Sequence, residues 1–167
     1  MKIIVKLDDQ GLLPDQYGKY AADDLKVSGH PILSFPFELV DVPADAQFLS
    51  WSLVDYDAVP VAGFPWIHWL VADVPVTSQI AEDFSRKTRA AQGKNSNASR
   101  FLTKSSERII NRYTGPSPPN ETHDYQLIVY AHKDALGLQE GFYLNDLMKA
   151  VEPIALAQAK IYLPSRS

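Results

Sequence analysis

Gly115-Pro116-Ser117-Pro118-Pro119-Asn120-Glu121-Thr122-His123-Asp124-Tyr125-Gln126-Leu127-Ile128-Val129-Tyr130-Ala131 runs from a proline-rich loop straight into an aromatic and β-branched stretch. Three prolines remove three backbone donors, so the opening residues belong to a loop or an edge and not to a central strand. X-Pro bonds also admit the cis form at tight turns. From Tyr125 onward the composition favours a pleated, half-buried surface. In an extended chain His123 and Tyr125 lie on one face, two residues apart. Proline fixes its own φ and restricts the residue before it. Such a loop therefore holds an imidazole and a phenol in place at small entropic cost.

Working outward, three earlier stretches carry the same signature, at residues 35–40, 48–54 and 67–72, each bounded by proline or acidic breaks. Their connections are too irregular for repeating βαβ units. Helical periodicity appears only after Gly141, where Leu144, Leu147, Met148, Val151, Ile154 and Ala155 recur at three- and four-residue steps. Pro153 either kinks that helix or ends one and opens another. Residues 157–162 read equally as a closing strand or a helical tail.

The whole chain sets further bounds. Its 167 residues, 46% hydrophobic and 22% charged, suit one globular domain spanning 1–167. The absence of cysteine excludes disulfides, a thiolate nucleophile and cysteine metal sites. It also suits a reducing cytoplasm, the expected location. The first nine residues lack the pattern of a signal peptide, and no run approaches the ~20 apolar residues of a membrane helix. Asn97-Ala98-Ser99 and Asn120-Glu121-Thr122 fit the glycosylation sequon and read as chance matches.

Net charge is −4 but unevenly spread: −9 over residues 1–85 and +7 over 86–112. This asymmetry can guide an anion toward one face. The plainer reading of the Ser-, Asn-, Lys- and Arg-rich stretch 86–112 is a solvated loop or helix. A connection of that length in a compact domain is functional, disordered or misassigned. Nucleic-acid binding is disfavoured by the acidic balance and the lack of an aromatic-basic RNA motif.

A second loop, Asp55-Tyr56-Asp57-Ala58-Val59-Pro60, precedes Trp66-Ile67-His68-Trp69. In regular alternation Trp66 and His68 share one face and Ile67 and Trp69 the other, so one tryptophan borders a pocket and the other enters the core. An anion leaving water needs converging donors and, ideally, positive charge. Two imidazoles supply both once protonated near their unperturbed pKa of ~6.5. An aspartate on the far ring nitrogen of His68 would fix its tautomer, and Asp55 and Asp57 are candidates if their loop folds back. Each is also a natural turn cap, and His68 taken alone also reads as a core histidine bonded to backbone.

These two motifs, in this order, resemble the phosphatidylethanolamine-binding proteins, also called Raf kinase inhibitor proteins, in their bacterial branch. The first is the Asp-x-Asp-Ala-Pro-like loop followed by Trp-x-His, and the second is Gly-Pro-x-Pro-Pro followed by His-x-Tyr. Gly93-Lys94-Asn95-Ser96 lies between them, and the resemblance covers roughly residues 30–165. It implies a mainly β fold: an antiparallel β-sandwich with Greek-key connections and a few peripheral helices. It also implies a small anion pocket for phosphate or a phosphorylated head group. By match, the ligand-binding residues are Asp55, Asp57, Trp66, His68, Gly115, Pro118, His123 and Tyr125, with no catalytic residue, metal or cofactor.

Three departures bear on that pocket. Val59 lengthens the first loop by one residue, with Tyr56 in place of its first proline. Asp124 stands where many members have arginine, removing a cation. The step from Pro119 to His123 is shorter than in many eukaryotic members. The expected function is a non-enzymatic binding protein, regulatory in character, whose partner is a small anion or a phosphorylated ligand. The alternatives are a kinase or protease inhibitor acting through its surface, with Arg100, Lys104 and Arg108 as a trial patch, or an enzyme using a His/Asp acid-base pair. A protein partner is unspecified, a homodimer is among the states the family admits, and membrane insertion is unsupported.

Overall fold

A computed structural model of the chain describes residues 1–102 and 105–167. Lys104 of the trial patch lies outside them. In chain order the strands are β1 (Lys2–Ile4), β2 (Lys26–Val27), β3 (His30–Pro31), β4 (Phe37–Val40), β5 (Phe48–Asp55), β6 (Trp66–Pro75), β7 (Gln79–Ile80), β8 (His123–His132) and β9 (Ala155–Ser165). Three short helices accompany them: α1 (Val59–Ala62), α2 (Phe84–Lys87) and α3 (Leu144–Val151).

The principal sheet has the order β6-β5-β8-β9, antiparallel throughout. A smaller sheet, β1-β4-β7, packs against it, and β2-β3 forms a separate ribbon. The chain leaves β6 at one edge, passes over β5 and returns as β8 on its far side, which is a Greek-key connection. The fold is thus the expected antiparallel sandwich with peripheral helices.

Packing follows from the pleat. Along β5, Leu49, Trp51 and Leu53 point toward the smaller sheet, where Phe37, Leu39 and Ile80 meet them. The Phe37 and Trp51 rings cross edge-to-face at 5.5 Å, as do those of Trp51 and Trp69 at 5.1 Å. Each large side chain removed from water contributes about 1.5–3 kcal/mol, and edge-to-face contacts add about 0.5–1.5 kcal/mol. The opposite face of the principal sheet buries Leu70 and Ala72 beneath Leu147 of α3 and Phe142 just before that helix.

Two late segments differ from the periodicity in the sequence. The helix stops at Val151, a turn carries Pro153, and no second helix opens. Ile154 and Ala155 therefore lie beyond the helix, and Ala155–Ser165 forms an 11-residue strand paired along β8. Among the described residues no peptide is cis, so the loop prolines are all in the trans form.

Within the stretch 86–112, residues 92–97 are unlike a solvated loop, whereas Lys87, Arg89, Arg100, Glu107 and Arg108 are exposed. Gln92, Asn95, Ser96 and Asn97 are buried there. The Gln92 Oε1 accepts from Trp69 Nε1 at 2.9 Å and from Ser85 Oγ at 2.7 Å, while its Nε2 donates to the Ser85 carbonyl at 2.9 Å. Asn95 Nδ2 donates to the carbonyls of Ile109 and Arg112. Side-chain amides here satisfy backbone groups that a strand or helix would otherwise pair.

Candidate functional site

Antiparallel pairing brings the end of β5 and the starts of β6 and β8 to one edge of the sandwich. Asp55, Trp66 and Tyr125 lie side by side there, Asp55 opposite both of the others. The register adds something alternation did not anticipate. Leu53 pairs with Trp69 but Val54 pairs with Ile67, so β6 carries one extra residue, His68. A bulge of this kind re-aims side chains. It turns the consecutive His68 and Trp69 to the same interior side, where alternation had put them on opposite faces.

Asp55 is buried at 3% exposure. Its Oδ1 accepts from the Ala58 amide at 3.0 Å, closing the turn into α1, and its Oδ2 lies 2.8 Å from His123 Nδ1. It is both a turn cap and the partner of an imidazole. With a carboxylate as acceptor, His123 Nδ1 carries the proton and donates. Its Nε2 lies 3.2 Å from Asn120 Oδ1. Of the two alternatives for His68, an aspartate behind the ring or a bond to backbone, the structure has the second: Nδ1 donates to the Thr114 carbonyl at 2.7 Å.

Burial pushes the His68 pKa down to about 4, and the Thr114 carbonyl and the charge of Asp55 only partly oppose it. His68 is thus a neutral ring at neutral pH. With its proton fixed at Nδ1, the other nitrogen offers a lone pair. The Tyr125 ring meets His68 edge-on at 5.0 Å. Burial first, and then the negative charge of Asp55, raise its pKa, so the phenol stays a donor.

The proline loop closes the opposite wall. A Cβ on Gly115 would lie 2.1 Å from the Tyr17 carbonyl oxygen and 2.9 Å from Pro31 Cβ. Only a hydrogen fits in that space. Gly115 N donates to the Pro31 carbonyl at 2.9 Å, and Lys19 Nζ donates to the Pro118 carbonyl at 3.1 Å. Trp66, stacked on Phe64 at 5.7 Å, flanks the mouth.

Between these elements lies a cavity of about 290 Å³. Seven sequence-derived candidates line it: Asp55, Trp66, His68, Gly115, Pro118, His123 and Tyr125. Asp57 does not. Its Oδ2 instead accepts from the Asp124 amide at 2.8 Å, tying the first loop to β8. His30, Asn97, Thr114 and Ser117 also line the cavity, and sequence reasoning missed them. Asn97 is buried, with Nδ2 donating to Thr114 Oγ1 at 3.2 Å, so its sequon is inaccessible. Asn97 also borders a second cavity, of about 350 Å³, together with Lys94 and Arg100.

A β-sandwich that carries a histidine-lined cavity among loops at one edge defines the class of protein. Within it, residues 5–164 match the family described as phosphatidylethanolamine-binding protein, and the chain belongs to that family. It is similar to an uncharacterised Bacillus subtilis protein, YxkA, with 41% identity over 92% of this chain and 94% of that protein. A Chlamydia trachomatis protein of the UPF0098 group is 30% identical over 86% of this chain and 85% of its own length. A crystal structure of a phosphatidylethanolamine-binding protein homologue from Chlamydia trachomatis superposes with a TM-score of 0.77 and 25% identity, covering 99% of this chain and 97% of that one. Escherichia coli YbcL shares the fold, with a TM-score of 0.74, 18% identity and coverage of 99% and 98%. Among the described residues no helix is long and apolar enough to cross a membrane.

Proposed function

We propose that the cavity binds a small oxyanion, free phosphate or the phosphorylated end of a larger ligand, and that the protein acts by binding and not by turnover. The observation that carries this reading is that His68 and His123, 55 positions apart in the chain, line one cavity with Tyr125 between them. Tyr125 contributes an O–H donor. His68 contributes an acceptor at Nε2, which favours an oxyanion that still bears a proton. Lys94 and Arg100 beside the neighbouring cavity raise the local concentration of anions.

Binding is favoured over catalysis because no carboxylate stands behind His68 to stabilise an imidazolium during proton transfer. His123 has that carboxylate in Asp55, but its outer nitrogen is occupied by Asn120 Oδ1 of the same chain.

The test is a titration with inorganic phosphate followed by NMR of the imidazole nitrogens in the wild type, His68→Ala and His123→Ala. Saturable shifts in the wild type, weakened about tenfold or more in each variant, support the site. Unaltered binding in both variants defeats it.

A further inference from the structure

The cavity holds three imidazoles, and their hydrogen bonds differ. His68 spends its Nδ1 proton on the Thr114 carbonyl, and His123 is engaged at Nδ1 by Asp55 and at Nε2 by Asn120. His30 is half-buried in the cavity wall. Desolvation alone perturbs it, with no hydrogen bond to either ring nitrogen among the described residues. It is therefore the imidazole that can offer an N–H to a guest in either tautomer without breaking a bond to its own chain.

The backbone beneath the ring is anchored. His30 lies on the two-residue strand β3, paired with Val27 of β2. The next residue, Pro31, accepts the Gly115 amide through its carbonyl and packs where a Cβ on Gly115 would collide. The ribbon that carries His30 is thus fastened directly to the proline loop, so the backbone that presents the ring is set by the same contact that builds the wall. His30 and His68 line the same cavity.

We propose that His30 is the anion-recognition residue of this chain, donating a ring N–H to the bound oxyanion while His68 accepts the oxyanion's own proton. The proposal rests on the oxyanion reading of the cavity. It gives the site a polarity: the donor comes from the N-terminal ribbon and the acceptor from the bulged strand. A protonated oxyanion such as a phosphate monoanion matches both, whereas sulfate, with no proton near neutral pH, matches only His30.

The experiment uses the full chain at neutral pH, with inorganic phosphate and inorganic sulfate as probes and the ring nitrogens of His30, His68 and His123 followed by NMR. In the wild type, phosphate is expected to shift the His30 and His68 rings together, and sulfate to bind about tenfold or more weakly. His30→Phe is expected to weaken phosphate about tenfold or more, and His30→Asn, which keeps an N–H, to recover part of that loss. Backbone spectra of both variants report whether the ribbon remains folded. Phosphate shifts at His68 and His123 with a silent His30 ring, or unchanged affinity in folded His30→Phe, overturn the His30 assignment and leave the anion site standing. The absence of any phosphate shift in the wild type overturns both.

Discussion

The carboxylate of Asp55 and the imidazole of His123 meet at 2.8 Å although 68 residues separate them, and both are almost wholly buried. The contact joins the end of β5 to the start of β8, whose register places Asp55 opposite Tyr125, two residues beyond His123. A buried carboxylate needs every partner it has. Asp55 has one on each oxygen, the Ala58 amide and the His123 ring. Asp55→Ala orphans both donors and is expected to cost about 3 kcal/mol in urea unfolding. Asp55→Asn keeps an acceptor and is expected to cost less than half of that. Equal stability of the wild type and Asp55→Ala contradicts the pairing.

His68 links folding to pH. Its folded pKa, about 4, lies below the ordinary histidine value of 6.5, so between these values the unfolded chain binds a proton that the folded chain refuses. Stability contributed by the neutral ring is complete above about 6.5 and is lost as pH falls toward 4, on the order of 3 kcal/mol in all. Unfolding free energies measured from pH 7 to pH 4 are expected to fall more steeply in the wild type than in His68→Gln. Parallel slopes refute the linkage.

Two glycines separate crowding from backbone conformation. Gly115→Ala drives a methyl group into the Tyr17 carbonyl and is expected to cost about 3 kcal/mol or more. Gly63 sits at φ +85° with nothing within 4 Å of a would-be Cβ. Gly63→Ala should therefore cost only the left-handed strain, about 1 kcal/mol. Thermal unfolding of the two variants checks the order, and a reversed order contradicts the packing described for the wall.

Gln92 tests the buried polar network. Gln92→Leu fills similar space but leaves the Trp69 indole N–H without its acceptor and the Ser85 hydroxyl without one of its partners. A loss of about 3 kcal/mol is expected. A neutral effect in chemical denaturation shows that the amide is not needed to hold residues 86–112.

The four strongest strands were legible because their residues, such as Val129 and Trp51, suit a pleated surface wherever they lie. β9 was ambiguous for the opposite reason. Ala155-Leu156-Ala157-Gln158-Ala159-Lys160 is rich in helix formers, and only the full-length ladder with β8 decides in favour of a strand. Solvation holds for Lys87, Arg89, Arg100, Glu107 and Arg108 but fails around residues 92–97, because Gln92 and Asn95 are polar by composition and buried by partnership. The motifs brought seven residues to one cavity, while His30 carries no pattern of its own and reaches the wall only through the ribbon contact with Gly115.

The extra residue in β6 sets a rule of counting. An ordinary strand has even parity, so every second side chain faces the same way. At His68 two consecutive side chains face inward, one toward the ligand space and one into the hydrophobic centre. Deleting Ile67 would restore ordinary parity and turn the imidazole toward the layer under α3. Here the length of the strand is a stricter condition than the identity of its letters, and a variant lacking Ile67 would lose the site with every side chain that lines the cavity still in its sequence.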